Sequence, residues 1–89
     1  MPQPPTTIYP MPKHTYSFKS EVGTFWIRPE TGGGWSLNIV SDDEIEPLGY
    51  YKSRFDAAHD VSTGNTGFGM WDRRAEKKAP ASLQEWRRL

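Results

Sequence analysis

The stretch Leu48-Gly-Tyr-Tyr-Lys-Ser-Arg-Phe-Asp-Ala-Ala-His-Asp-Val-Ser-Thr-Gly-Asn-Thr-Gly-Phe-Gly-Met-Trp-Asp72 decides the fold. It reads as the end of a strand, a tight lead into a helix, that helix, and a glycine-rich exit closed by Trp71. Ser53 caps the first turn, and Asp56 three residues later completes a weak capping box that suits the positive end of the helix. Phe55, Ala57, Ala58 and Val61 fall on one side at the helical angle, with Asp56 and Asp60 opposite. Arg54 projects into the apolar arc, its stem over the core and its head toward water. Gly64 supplies the left-handed residue that ends a helix. Two adjacent alanines bring this helix, over 53–63, close to something flat, and a sheet supplies that surface.

Working outward toward the N-terminus, two alternating runs provide the sheet. Thr24-Phe25-Trp26-Ile27-Arg28 puts Phe25 and Ile27 on one face and Thr24, Trp26 and Arg28 on the other. Trp35-Ser36-Leu37-Asn38-Ile39-Val40 puts Trp35, Leu37 and Ile39 on one face and Ser36, Asn38 and Val40 on its reverse. The turn-forming run 29–34, with three consecutive glycines, is a hairpin loop between them. It is not a phosphate cradle, because no Lys-Ser/Thr follows and the next element is a strand. Residues 41–47 read as an acidic, solvated loop, and Leu48–Tyr51 as the third strand. Tyr16–Lys19 is either a short strand or an irregular lead-in.

Short loops make these strands antiparallel neighbours, and the helix covers one face. The expected fold class is therefore α+β: a three-stranded antiparallel sheet with one helix packed on it (β-β-β-α), over about residues 16–72. Phe25, Ile27, Trp35, Leu37, Ile39 and one of Tyr50 or Tyr51 should meet Phe55, Ala58 and Val61. Phe68, Met70 or Trp71 should plug the end of the core from a loop too rich in glycine to be helical. Residues 1–15 are a proline-rich tail expected to be disordered, since residues 1–14 hold five of the eight prolines and almost no charge. Residues 73–89 read as a charged linker and a short C-terminal amphipathic helix, opened by the capping box Ser82-Leu-Gln-Glu85, with Leu83, Trp86 and Leu89 on one side. A helix of this length does not persist alone in water and must dock on something.

Composition bounds what such a chain does. Eighty-nine residues make one thin domain, and four Trp, four Tyr and four Phe compensate for a hydrophobic fraction of 35%. Eleven basic and eleven acidic side chains cancel, so no global field steers the chain to nucleic acid or anionic lipid. Locally the charge is polarised, with six basic and two acidic residues from Arg73 to Leu89. With no cysteine there is no disulfide scaffold and no thiolate metal site. No basic start followed by an apolar run marks a signal peptide, and nothing reaches spanning length, so a cytoplasmic protein without membrane contact is expected.

Catalytic chemistry finds little purchase, and a non-enzymatic protein without cofactor or metal is expected. Four carboxylates within 42–46 match no EF-hand spacing and lack the central glycine. His14 lies in the tail, and His59 at the edge of the helix's apolar arc reads as packed. Asp56 and Asp60 form a polar helix face, and Ser53 and Ser62 have no triad context. What remains is an open sheet face and a basic C-terminal end. The candidate binding residues are Trp26, Arg28, Asn38, Tyr51, Trp86, Arg87 and Arg88, with another protein or a second copy of the chain as partner.

Two resemblances bear on this. The run Trp35-x-Leu37-x-Ile39, Leu48-Gly49-Tyr50-Tyr51 and Phe55-x-Ala57-Ala58 resembles the three-stranded DNA-reading domain of plant ethylene-response factors and of some integrase arms, over roughly a third of the chain. That likeness implies groove contacts from Trp26 and Arg28 with the basic tail on phosphates. The sheet departs from it in carrying a single Arg beside the 42–46 carboxylates. Gly49, Tyr51, Ser53, Ala57, Ala58, Val61, Thr66, Gly67, Trp71 and Asp72 resemble a pattern found in short bacterial proteins of uncharacterised function. That second resemblance implies the fold and a bacterial source, and no activity.

Overall fold

A computed structural model describes residues 14–74, 76, 79, 80 and 82–89. The expected disordered tail lies outside the described residues except for His14 and Thr15, and part of the charged linker lies outside them too. The fold is α+β, with an antiparallel sheet and a helix on one face, but the sheet has five strands rather than three. β1 (Tyr16–Ser20), β2 (Gly23–Pro29), β3 (Trp35–Ser41) and β4 (Glu44–Tyr51) form a meander, and β5 (Arg87–Arg88) returns to the free edge of β1. The spatial order is β4-β3-β2-β1-β5. Helix α1 (Arg54–Thr63) follows β4, and α2 (Gly69–Asp72) is a single turn.

The tight turns explain where strands replace expected loops. Ser20 pairs with Gly23, so Glu21 and Val22 alone make the β1–β2 turn. The Ser20 hydroxyl fastens it, donating to the Gly23 carbonyl at 2.6 Å and accepting from the Val22 amide at 3.2 Å. Gly23 has φ +137°, and a Cβ there would lie 2.8 Å from the Val40 carbonyl oxygen. The acidic run 41–47 is not a loop. Asp42 and Asp43 take φ 47° and 64°, the left-handed pair of a two-residue hairpin turn, while Ser41 and Glu44 already pair. Glu44 and Glu46 can therefore sit on an edge strand, where their charges stay in water.

A bulge shifts the register between Leu37 and Asn38, opposite Leu48. Before it, Ile45 and Pro47 face away from the helix, beside Val40 and Asn38. After it, Gly49 and Tyr51 pair with the core residues Leu37 and Trp35. The extra residue thus turns Tyr51 inward and Tyr50 outward, and half-buried Leu48 packs on the core.

Helix α1 forms with the expected caps. The Ser53 hydroxyl accepts from the Phe55 amide at 3.1 Å, and Gly64 closes the helix in the left-handed conformation. Ala57, Ala58 and Val61 are fully buried over Phe25, Ile27, Leu37 and Ile39. Phe55 was expected in this core but is 56% exposed. Arg54 takes the position over the sheet instead, its guanidinium 5.4 Å from the Trp35 ring centre and 4.7 Å from that of Phe55. His59, expected to pack, is exposed.

The glycine-rich exit is more ordered than its composition implies. Asp72 accepts from the Thr66 amide at 3.0 Å, the Thr66 hydroxyl at 2.7 Å and the Gly67 amide at 2.7 Å. That anchor permits the turn α2, where a plain loop was expected. Of the three candidate plugs it is Trp71 that fills the core end, 2% exposed, whereas Met70 is 63% exposed. Its indole donates to the Val61 carbonyl at 2.8 Å and meets Phe25 edge-on at a centroid distance of 5.2 Å.

The C-terminal amphipathic helix is not formed. Ser82 caps one turn of 3₁₀ helix over Leu83–Glu85, and Trp86 is already extended at φ −75° and ψ 147°. Leu83 and Trp86 are buried at 5% and 4% exposure, Trp86 lying 5.6 Å from Phe18. The burial of Leu83 and Trp86, with the Trp86–Phe18 ring contact and a free strand edge, outweighs a helix too short to hold itself, so the chain pairs Arg87 with Ser17 and Arg88 with Tyr16. Leu89 remains exposed, its amide donating to the Thr15 carbonyl at 2.8 Å.

Candidate functional site

The face of the sheet turned away from α1 brings together most of the residues that alternation singled out. Across it runs the row Arg87, Ser17, Trp26, Asn38, Pro47, with Arg28, Ser36 and Tyr50 on one side and Thr24, Val40 and Ile45 on the other. Ala57, Ala58 and Val61 of α1, with Trp71, Leu83 and Trp86, pack on the opposite face. Asn38 and Ser36 lie low between taller neighbours, buried at 7% and 6% exposure, and the Asn38 amide donates to the Ser36 hydroxyl at 3.2 Å. Above that polar floor stand Tyr50, 79% exposed, and Ile45, 55% exposed, with exposed Pro47 and half-buried Trp26 between them. The strand charges on this face, Lys19, Arg28 and Arg87, are all positive, because Glu44 and Glu46 fall on the other side of β4.

Of the seven expected binding residues, Trp26, Arg28, Asn38 and Arg87 meet on this face. Tyr51 does not. The bulge turns it toward the helix, and its hydroxyl donates to Asp60 at 2.8 Å. Burial first, and then the Asp60 carboxylate, hold its phenol well above the usual tyrosine range. Asp60 is thereby drawn off the solvent face where the helical angle placed it. Trp86 is a core residue, as described, and contributes nothing to this face of the sheet. Arg88 falls on the helix side, beside Tyr16, in a cleft with Arg54. Sequence reading left open whether Tyr50 or Tyr51 faces outward, which the bulge at Leu48 decides, and it placed Ile45 and Pro47 in a loop rather than on this face.

Two further hollows flank the β1–β2 hairpin. One, of about 500 Å³, lies between Phe18, Trp71 and Arg74, where Arg74 makes an ion pair with Glu21. The other, of about 400 Å³, lies beside Met70 and the Asp42 turn. Among the described residues no group of three or more His, Asp or Glu could hold a metal ion. No helix among them is long and apolar enough to cross a membrane. No family model, no curated protein and no solved structure matches the chain.

Proposed function

We propose that the chain is a non-enzymatic binding module whose open sheet face takes another protein. The observation that carries this reading is a continuous face on which Ile45, Pro47 and Tyr50 stand exposed beside half-buried Trp26. An aromatic and aliphatic centre with an Arg and Lys rim is the composition of a protein contact rather than of a solvated sheet. The rim charges favour a partner that sets carboxylates around an apolar centre. The β4 edge is a poor alternative, since Pro47 removes a donor and Glu44 and Glu46 oppose a second strand. Capture of a host protein by the wild-type chain, lost with Tyr50→Ala and with Ile45→Ser, is the expected result. Retention by both variants would sink the assignment of this face. Sedimentation of the free chain separates a second copy from a foreign partner.

Nucleic acid is the second reading, favoured by the uniformly positive strand charges around Trp26 and Tyr50. It requires saturable binding of duplex or single-stranded DNA that weakens steeply with salt. Ile45 and Pro47 have no role in such a complex, which places it second.

A further inference from the structure

On the opposite side of the sheet, the start of α1, the edge of β1 and the C-terminal turn enclose a cleft of about 440 Å³. Tyr16, Arg54, Phe55, Leu83, Trp86 and Arg88 line it, with Gln84 at its rim. Two features distinguish it from a packing defect. Among the described residues lining it are two arginines and no carboxylate. In addition, Nε of Arg54 and Nε1 of Trp86 are buried without any hydrogen-bond partner, and no other buried side-chain donor or acceptor among the described residues is left so. Trp86 itself is 4% exposed. Orphaned buried donors are rare and ask for an acceptor. The cleft also sits at the positive end of a ten-residue helix, which adds to the field of the two guanidinium groups. Phe55, more than half exposed, and Leu83 supply apolar wall.

We propose that this cleft binds an organic anion: a carboxylate or phosphate head on a short apolar body. The head accepts from the Trp86 indole and the Arg54 guanidinium, with Arg88 closing over it. The body lies against Phe55 and Leu83. Arg54 is prepared for this, because its contacts with the Trp35 and Phe55 rings hold the guanidinium plane before any ligand arrives.

The test is a titration of the full ¹⁵N-labelled chain with hexanoate and with hexyl phosphate, followed at the indole N–H of Trp86, which is assigned by its loss in Trp86→Phe. Saturable binding with dissociation constants on the order of 1 mM and a downfield shift of that resonance is expected for at least one of the two acids. Which acid binds more tightly identifies the head group. Arg88→Gln, at an exposed position that leaves the core intact, should weaken binding about tenfold, the loss of one charge-assisted hydrogen bond. Hexanol and hexylammonium should not move the resonance. A silent Trp86 indole, an unchanged affinity in Arg88→Gln, or equal binding of hexylammonium overturns the proposal.

Discussion

Replacing Trp86 with alanine separates a docked C-terminal strand from a trailing segment that needs a partner. Trp86 is 4% exposed against Phe18, and it anchors both the 3₁₀ turn and β5. Truncating a buried tryptophan costs about 3–5 kcal/mol. Here the same change also removes a buried indole N–H that has no acceptor, which offsets about 1–3 kcal/mol of the loss. Taking the middle of each range, the net expectation is a destabilisation of about 2 kcal/mol, a sizeable part of the ~4–13 kcal/mol that a chain of this length holds. Trp86→Phe sharpens the point. It keeps most of the ring contact with Phe18 and deletes the orphan donor, so it should fall within about 1 kcal/mol of wild type. Leu89→Ala, at 55% exposure, should change stability by less than about 0.5 kcal/mol. Guanidinium unfolding followed by far-UV circular dichroism reads all three, with a common slope expected. A Trp86→Ala variant within about 1 kcal/mol of wild type would show that the segment does not dock, and the fifth strand would go with it.

Three other substitutions probe separate parts of the fold. Asp72→Ala removes the acceptor of three hydrogen bonds from Thr66 and Gly67 and should cost about 2 kcal/mol, read from the thermal midpoint; an unchanged midpoint refutes the anchored exit. Tyr51→Phe removes the bond to Asp60 and should cost about 1 kcal/mol at neutral pH. Because the folded phenol is raised, Tyr51 contributes its stability fully below the unfolded-state value near ~10 and loses it as pH climbs beyond, so the gap between wild type and Tyr51→Phe should narrow above pH ~10. A gap that holds or widens there is the wrong sign. Asp43→Gly relieves a non-glycine left-handed residue at φ 64° and should stabilise the β3–β4 turn by about 0.5 kcal/mol; a loss of stability on chemical denaturation contradicts the turn geometry.

What could be read from the chain divides along the range of the interactions that decide each element. Helix α1 was legible because its determinants are local: Ser53 and Gly64 sit at its ends and the Ala57, Ala58, Val61 face lies within it. The faces of β2 and β3 were legible for the same reason, since period-two alternation fixes Phe25 and Ile27 against Trp26 and Arg28 without knowledge of a neighbour. That alternation is why Trp26, Arg28 and Asn38 come together as expected. It fails at Leu48, where one unpaired residue inverts the pattern, and so Tyr50 and Tyr51 exchange the roles that a binding site and a core would assign them. The acidic turn was misread because aspartate is poor in strands, yet it tolerates the left-handed pair that lets two residues reverse the chain. At the C-terminus the spacing of Leu83, Trp86 and Leu89 fits a helix, and nothing nearby contradicts it. Only Phe18 and the free edge of β1, at the other end of the domain, make the extended form win. The same distance in sequence hid the cleft. Arg54 was visible as a charge inside an apolar arc, and Arg88 as part of a basic end. Their meeting depends on a strand that only tertiary contacts create, so a site built from them follows from the closure of the fold and not from any motif.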